Sequence, residues 1–338
     1  MPAYDAVLVL SFGGPEKAED VLPFLERVLQ GRNVPRDRML AVAEHYYHFG
    51  GRSPINDQNR ELIAALQREI ESHGIRLPVY WGNRNWRPFL VDTVRRMSAD
   101  GVRRALAVVT SAFGSYSGCR QYLQDIDQAR AEFGPGAPEI HKLRAFFNHP
   151  GFLEAAADRV KEALDRLPEA QRDSARLIFT AHSVPMAMAA SSPYVDQLRE
   201  ACGLVAGRIG RERWELVYQS RSGPPSQPWL GPDINDRLRE LSCEGVREVL
   251  VAPIGFLSDH MEVVYDLDVE ARATAGASGL GFTRAGAIGT HPRFVAAMRE
   301  LIEERLTGKS ARAADGRLGP APDLCPAGCC APTRERPR

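Results

Sequence analysis

Apolar positions in this chain follow two alternating rhythms. Short, nearly continuous apolar runs bounded by glycine, proline or polar residues lie at Ala6–Ser11, Val79–Gly82, Leu106–Ser111, Arg176–Ala181, Trp214–Ser220 and Glu248–Pro253, with a weaker one at Phe282–Ala287. Runs of this length, apolar on both faces, read as strands of a buried parallel sheet. Between them, stretches such as Asn59–His73, Pro150–Leu167 and Tyr194–Arg208 repeat apolar residues three to four apart, which is the stripe of an amphipathic helix. This alternation predicts an α/β chain of two doubly wound parallel-sheet domains with helices on both faces. The expected boundaries are 1–147 and 148–290, then a final helix at 291–308 packing back on the first domain. His149-Pro-Gly-Phe152 and His291-Pro-Arg-Phe294 each open a helical pattern with proline in its first turn. That echo fits either a duplication or a shared helix-start signal.

After Thr307 the chain becomes rich in Ala, Gly, Pro and Arg, the composition of a flexible tail, except around its cysteines. Of the six cysteines, Cys119, Cys202 and Cys243 are scattered, whereas Cys325, Cys329 and Cys330 crowd together. In a cytoplasmic chain such a cluster points to a metal site rather than a disulfide framework. A cytoplasmic location is the expectation here. Met1-Pro-Ala-Tyr-Asp5 lacks the basic region of a signal peptide, and no stretch supplies the roughly 20 apolar residues of a membrane span. Length fits two domains: 338 residues, 44% hydrophobic and 25% charged. Lys plus Arg and Asp plus Glu balance at 43 each, which removes any electrostatic argument for nucleic acid or an anionic membrane as partner.

In open parallel sheets ligands bind beyond the carboxyl ends of strands, and the unusual residues collect there. They are Ser11-Phe-Gly-Gly-Pro-Glu16, Ala112-Phe-Gly-Ser-Tyr-Ser-Gly-Cys119, His182-Ser-Val-Pro-Met186, the loop Arg221–Pro232 and Ser258–Glu270. The first lacks both G-x-G-x-x-G and the P-loop lysine, so a tight strand-to-helix turn explains its glycines. Ser183 lacks the G-x-S-x-G frame of a serine hydrolase. His182 reads either as a hydrogen-bonded structural residue or as a base near neutral pH. Glu262, Asp266 and Glu270 are spaced i, i+4, i+8 and would form one acidic line on a helix, beside Val263, Val264 and Leu267 as its buried face. Like charges so spaced cost about 0.2–0.5 kcal/mol per pair. Such a line is either a solvated face or a track of hard oxygen ligands for a divalent cation, with His260 adding a softer ligand. Trp229, in a proline-rich loop, and the aromatic and basic residues of His45–Ile55 suit either rigid surface turns or walls for a flat apolar ligand.

Taken together these segments resemble ferrochelatases, which insert ferrous iron into a porphyrin. The matching pieces are Leu8–Glu16, Gly50-Gly-Arg-Ser-Pro-Ile55, Gly82-Asn-Arg-Asn-Trp-Arg-Pro-Phe89, Thr180-Ala-His-Ser-Val-Pro185, Gln219-Ser-Arg-Ser-Gly-Pro224 with Pro228-Trp-Leu-Gly-Pro232, and Gly255-Phe-Leu-Ser-Asp-His-Met-Glu262. They occur in family order and span residue 6 to about residue 306. The resemblance implies two flavodoxin-like domains of the class II chelatase architecture with a porphyrin cleft between them. It implies a lyase-class metal chelatase of haem biosynthesis, with His182 and Glu262 as catalytic residues and His182, Glu262, Asp266 and Glu270 as metal contacts. Metallation expels two pyrrole protons, for which a neutral imidazole is an acceptor and a paired carboxylate a charge partner. An open chain of oxygen ligands passes iron on, where a closed site would trap it.

The chain looks most like actinobacterial relatives that metallate coproporphyrin III, with Fe2+ and that tetracarboxylate as partners and a product-receiving haem-pathway enzyme downstream. A monomer is expected. Phe12, His45, Arg52, Ser53, Tyr116 and Trp229 are the substrate-binding candidates. Phe12 stands where some such relatives carry an iron-ligating tyrosine, and His45 where they carry an arginine, so a tyrosinate ligand is not expected. Several family members bind a 2Fe–2S cluster through three C-terminal cysteines and one internal cysteine. Here the resemblance assigns Cys325, Cys329 and Cys330, with Cys119 one residue offset from the internal position; a free or zinc-binding tail is the alternative. Cys202 and Cys243 fall in helical patterns as packing residues. The alternatives in function are a protoporphyrin IX ferrochelatase, a cobalt chelatase of the same architecture, and a non-catalytic haem or porphyrin carrier.

Overall fold

A computed structural model of the chain describes residues 4–31, 34–224, 226–308, 311–326 and 328–331. Two compact units emerge. The first comprises the residues up to Thr110, Tyr122–Leu143 and Met298–Gly308; the second comprises Ser111–Gln121, Arg144–Ala297 and the tail beyond residue 310.

The first unit is built on four parallel strands, β1 (Ala6–Ser11), β2 (Val79–Asn83), β3 (Arg104–Val109) and β4 (Glu139–Lys142), in the order β2-β1-β3-β4. Every residue of the central β1 is buried, which is why its sequence runs apolar without alternation. Leu8, Leu10, Ala107 and Val109 pack against Leu90, Val94 and Met97 of the helix Leu90–Ala99 and against Tyr122 and Ile126 of the helix Gln121–Phe133. Each such aliphatic side chain contributes about 1.5–3 kcal/mol on burial. A second cluster joins Phe24 and Leu25 of Val21–Leu29 to Met39 and Ala43 of Arg36–His48. The hydrophobic pattern does not announce β4, whose Glu-Ile-His-Lys has one buried residue, Ile140. It pairs with β3 alone, with Arg104 and Glu139 bonded at 2.7 Å. The helix expected from Asn59 begins at Ile55, because Asn56 and Asn59 are buried by specific hydrogen bonds rather than by apolar spacing. In the last helix, Pro292–Thr307, Arg299 bonds Glu69 at 2.9 Å and Arg305 donates to the Tyr4 hydroxyl at 2.9 Å.

The second unit repeats the winding. Strands β5 (Arg176–His182), β6 (Trp214–Gln219), β7 (Glu248–Ala252) and β8 (Gly281–Arg284) are parallel in the order β6-β5-β7-β8. One face is covered by Ile234–Cys243 and by the segment from Met261 to Ala277, which contributes Val263, Leu267, Ala271 and Ala275 to the core. The helices Pro150–Asp165 and Tyr194–Arg208 pack on each other.

The tail departs from its composition. Glu200, with its side chain only 6% exposed, accepts from the backbone N–H groups of Arg317 and Leu318 at 3.0–3.2 Å. Arg208 pairs with Asp315, and Asn148 donates to the carbonyls of Asp315 and Gly319 at 3.0 and 2.7 Å. Buried polar partners that composition does not reveal thus fix residues expected to be loose. Among the described residues no helix is long and apolar enough to cross a membrane.

Candidate functional site

In the second sheet the order reverses beside β5, with β6 on one side and β7 on the other. A crevice at such a switch point is the usual ligand position in an open parallel sheet. His182 is the last residue of β5 and stands opposite Gln219 of β6. Its Nδ1 lies 2.5 Å from the Ser183 carbonyl oxygen. A carbonyl only accepts, so Nδ1 carries a proton and donates, leaving Nε2 for chemistry. Nε2 is 3.5 Å from Glu262 Oε1. Behind the imidazole, the buried Tyr194 hydroxyl donates to the His182 carbonyl at 3.0 Å.

The carboxylates are held from β6. Gln219 Nε2 donates to the Glu262 carbonyl at 2.6 Å and reaches Asp266 Oδ2 at 3.5 Å, while Ser220 Oγ donates to Asp266. Ser220 has φ of 60°, a left-handed conformation that costs a non-glycine residue about 1–3 kcal/mol and is held by its surroundings. His260, read above as a further ligand, serves instead as a helix cap: its Nδ1 accepts from the Glu262 N–H at 3.2 Å.

The acidic segment is not a plain α-helix. A turn at Met261–Val263 passes into a π-helix at Val264–Ala271 and back to α at Arg272–Ala277. Four residues overrun an α turn by about 40°. A π turn, bonded i to i+5, holds more residues, so four fall short of it. The opposed drifts keep Glu262, Asp266 and Glu270 along one side and Val263, Leu267, Ala271 and Ala275 along the buried side next to it. Glu262 and Glu270 are exposed and Asp266 is half-buried.

These positions set the titration. Burial alone would lower the pKa of His182, but the Glu262 charge and hydrogen bond, the Ser183 carbonyl and the Asp266 charge outweigh it and raise it to about 8. Asp266 is pushed up to about 7 by burial, opposed by the Ser220 hydroxyl and reinforced by Glu262 and Glu270. Burial, with Asp233 nearby, also raises Glu270, whereas burial holds His260 below the usual histidine range. The site therefore couples one imidazole to carboxylates able to take either a proton or a cation. Among the described residues, no three His, Cys, Asp or Glu side chains are gathered into one ligand set.

Trp229 is half-buried on a loop that zips onto the histidine loop. Met186 N–H donates to Pro228 O at 3.0 Å, Leu230 N–H to Val184 O at 3.0 Å, and Ser183 Oγ to Leu230 O at 2.7 Å. Its indole packs over Gly223, where any Cβ would overlap it. Tyr116 opens a tight π turn, Tyr116–Arg120, capped by Ser115 accepting from Gly118 N–H at 2.9 Å; Cys119 is buried in that turn. In the tail, Cys330 is buried and the Cys329 and Cys330 Sγ atoms are 3.6 Å apart. In the first unit, Phe12 is 37% exposed and meets Phe24 edge-on at 6.2 Å. Ser53 is buried, its N–H donating to Pro15 O at 2.9 Å. Arg52 is exposed and paired with Asp57. His45 is half-buried on its helix, and burial pushes its pKa down.

Three residues with evident roles were not singled out by sequence: Gln219, Ser220 and Tyr194. The first two lie inside a matching motif, but only backbone geometry and hydrogen bonding show what they hold.

Residues 4–306 match the family model described as Ferrochelatase. A ferrochelatase of Rhodopirellula baltica is 54% identical, covering 100% of this chain and 96% of that protein. A coproporphyrin III ferrochelatase of Nocardia farcinica is 52% identical, covering 98% of each. Among solved structures, SirB from Bacillus subtilis with Fe3+ superposes with a TM-score of 0.56 at 12% identity, covering 92% of this chain and 99% of that one; at that identity it shows the fold alone.

Proposed function

Because this chain belongs to the ferrochelatase family, it inserts Fe2+ into a porphyrin, and we propose that the macrocycle is coproporphyrin III, that the product is iron coproporphyrin, and that His182 and Glu262 are the reacting groups. The observation that carries the residue assignment is the His182 Nε2 to Glu262 Oε1 pair at 3.5 Å, with Nδ1 already committed to a carbonyl. The name of the Nocardia relative supports the macrocycle.

At neutral pH the resting imidazole is mostly protonated, since its pKa lies near 8. Fe2+ arriving at Glu262 neutralises the charge that raises that pKa. The imidazole then loses its proton and its Nε2 lone pair becomes the acceptor for a pyrrole N–H. Glu270 and Asp266 lie along the same side of the segment and supply successive hard oxygen contacts toward Glu262. Phe12, His45, Arg52 and Ser53 of the first unit and Tyr116 and Trp229 of the second are the proposed contacts for the macrocycle and its four carboxylates, the polar ones by charge-assisted hydrogen bonds. The protein would act as a cytoplasmic monomer and pass its product to a haem-pathway enzyme.

We also propose a 2Fe–2S cluster on Cys119, Cys325, Cys329 and Cys330. All four lie in the second unit; Cys119 and Cys330 are buried, and two of the thiols are already 3.6 Å apart, a donor set that fits thiolate ligation. When bound, the cluster supplies a one-electron centre, and no step of insertion passes through it. An anaerobic preparation should be brown and lose that colour with Cys329→Ser; a colourless protein from a host with intact cluster assembly would refute the assignment.

Steady-state iron insertion with coproporphyrin III and protoporphyrin IX side by side tests the substrate, and a preference for protoporphyrin IX overturns it. Glu262→Ala should abolish insertion while porphyrin binding persists. Insertion at the wild-type rate would remove Glu262 from the chemistry.

A further inference from the structure

The helix Tyr194–Arg208 touches three things the preceding sections treat separately. Its first residue, Tyr194, holds the carbonyl of His182 at 3.0 Å. One turn on, the buried Gln197 accepts from Gly114 N–H at 2.7 Å, and Tyr194 meets Phe113 edge-on at 6.3 Å. Phe113 and Gly114 lead directly into the turn that buries Cys119. Just before the helix, Pro193 would lie 3.1 Å from a Cβ at Gly114, and Ser191 Oγ donates to Ala331 O at 3.3 Å, one residue beyond Cys330. Further along, Glu200 takes the Arg317 and Leu318 N–H groups, and Arg208 takes Asp315. The tail that carries Cys325, Cys329 and Cys330 is thus tied to this helix at three points.

We propose that this helix couples the cysteine-bearing segments to His182, with Tyr194 as the positioning residue. A displaced tail or a loosened Cys119 turn shifts the first turn of the helix, and the Tyr194 hydroxyl carries that shift to the end of β5. The proposal rests on His182 being the proton acceptor, and it assigns Tyr194 no contact with substrate.

The test is a double-mutant cycle on the full chain with Tyr194→Phe, Glu200→Gln and the double variant. It has three readouts: the His182 imidazole titration by NMR, the rate of tail-cysteine alkylation by a maleimide, and kcat and KM for coproporphyrin III. Glu200→Gln should speed alkylation and shift the His182 titration. Tyr194→Phe should leave alkylation unchanged, shift the His182 titration and lower kcat about fivefold, the factor expected for one hydrogen bond, with KM unchanged. In the double variant alkylation stays fast, but His182 no longer responds to the Glu200 change. An unmoved His182 titration in Glu200→Gln, unaltered alkylation in that variant, or simple addition in the double variant each overturns the coupling. His182→Asn separates the two readings: retained insertion there removes the acceptor role, while the NMR cycle still decides the coupling.

Discussion

Replacing Glu262 with glutamine removes a charge and nearly preserves shape, so it isolates what the carboxylate does to His182. The partners are 3.5 Å apart. At that distance two unit charges attract by about 1 kcal/mol at the dielectric of water and about 5 kcal/mol at an effective value of 20. The side chains are 49% and 32% exposed, which places the interaction in the lower half of that range. The expected fall in the imidazole midpoint is therefore about 1–2 pH units. Starting from about 8, the variant should titrate near or below an ordinary histidine, since burial then acts against little more than the Ser183 carbonyl and Asp266. The sign extends to stability. A histidine whose folded pKa exceeds its unfolded value of 6.5 favours the fold below that pH and loses the contribution as pH rises through about 8. That fall should be present in the wild type and absent in Glu262→Gln. The assay is an NMR titration of the imidazole, paired with thermal unfolding on either side of the window. A midpoint that stays near 8, or rises, refutes the claim that Glu262 controls the proton on His182.

Asp266, raised from 3.8 to about 7, should make the wild type progressively less stable as pH rises through that interval; Asp266→Asn should flatten the profile and shrink the gain in melting temperature produced by a divalent cation, as calorimetry would show. Ser220→Gly relieves the positive φ while Ser220→Ala keeps it, and both lose the hydroxyl bonded to Asp266. Calorimetry should therefore find the alanine variant about 1 kcal/mol or more the less stable, and in both the Asp266 titration should move further up. Gly255→Ala should cost about 1–3 kcal/mol in chemical denaturation and depress insertion, because its Cβ would sit 2.7 Å from the Cα and Cβ of Ala181, next to the reacting histidine.

The two sheets were legible because parallel strands buried on both faces cannot avoid apolar runs, and β1, β5 and β7 are of that kind. β4 was not, since an edge strand with one buried side chain leaves no period to read. His182 and the carboxylates stood out through their place after strands, and the matching motifs named them. The roles of Gln219, Ser220 and Tyr194 were invisible for a different reason. Each acts through a backbone carbonyl or a partner dozens of residues away, as in Gln219 to Glu262 O, and such partners leave no local spacing. The π-helix escaped as well: an i, i+4, i+8 series fits an α-helix well enough that nothing asks for another winding.

That winding makes the acidic segment depend on its length more than on most of its letters. Substitutions at Tyr265 or Asp268 leave the frame intact, because neither the carboxylate line nor the buried line uses those positions. Losing one residue between Val264 and Ala271 would restore an ordinary helix and turn everything beyond it by about 100°. Glu270 would swing away from Asp266 while every carboxylate remained in the sequence. The segment keeps time with its neighbours only while it carries its extra residue.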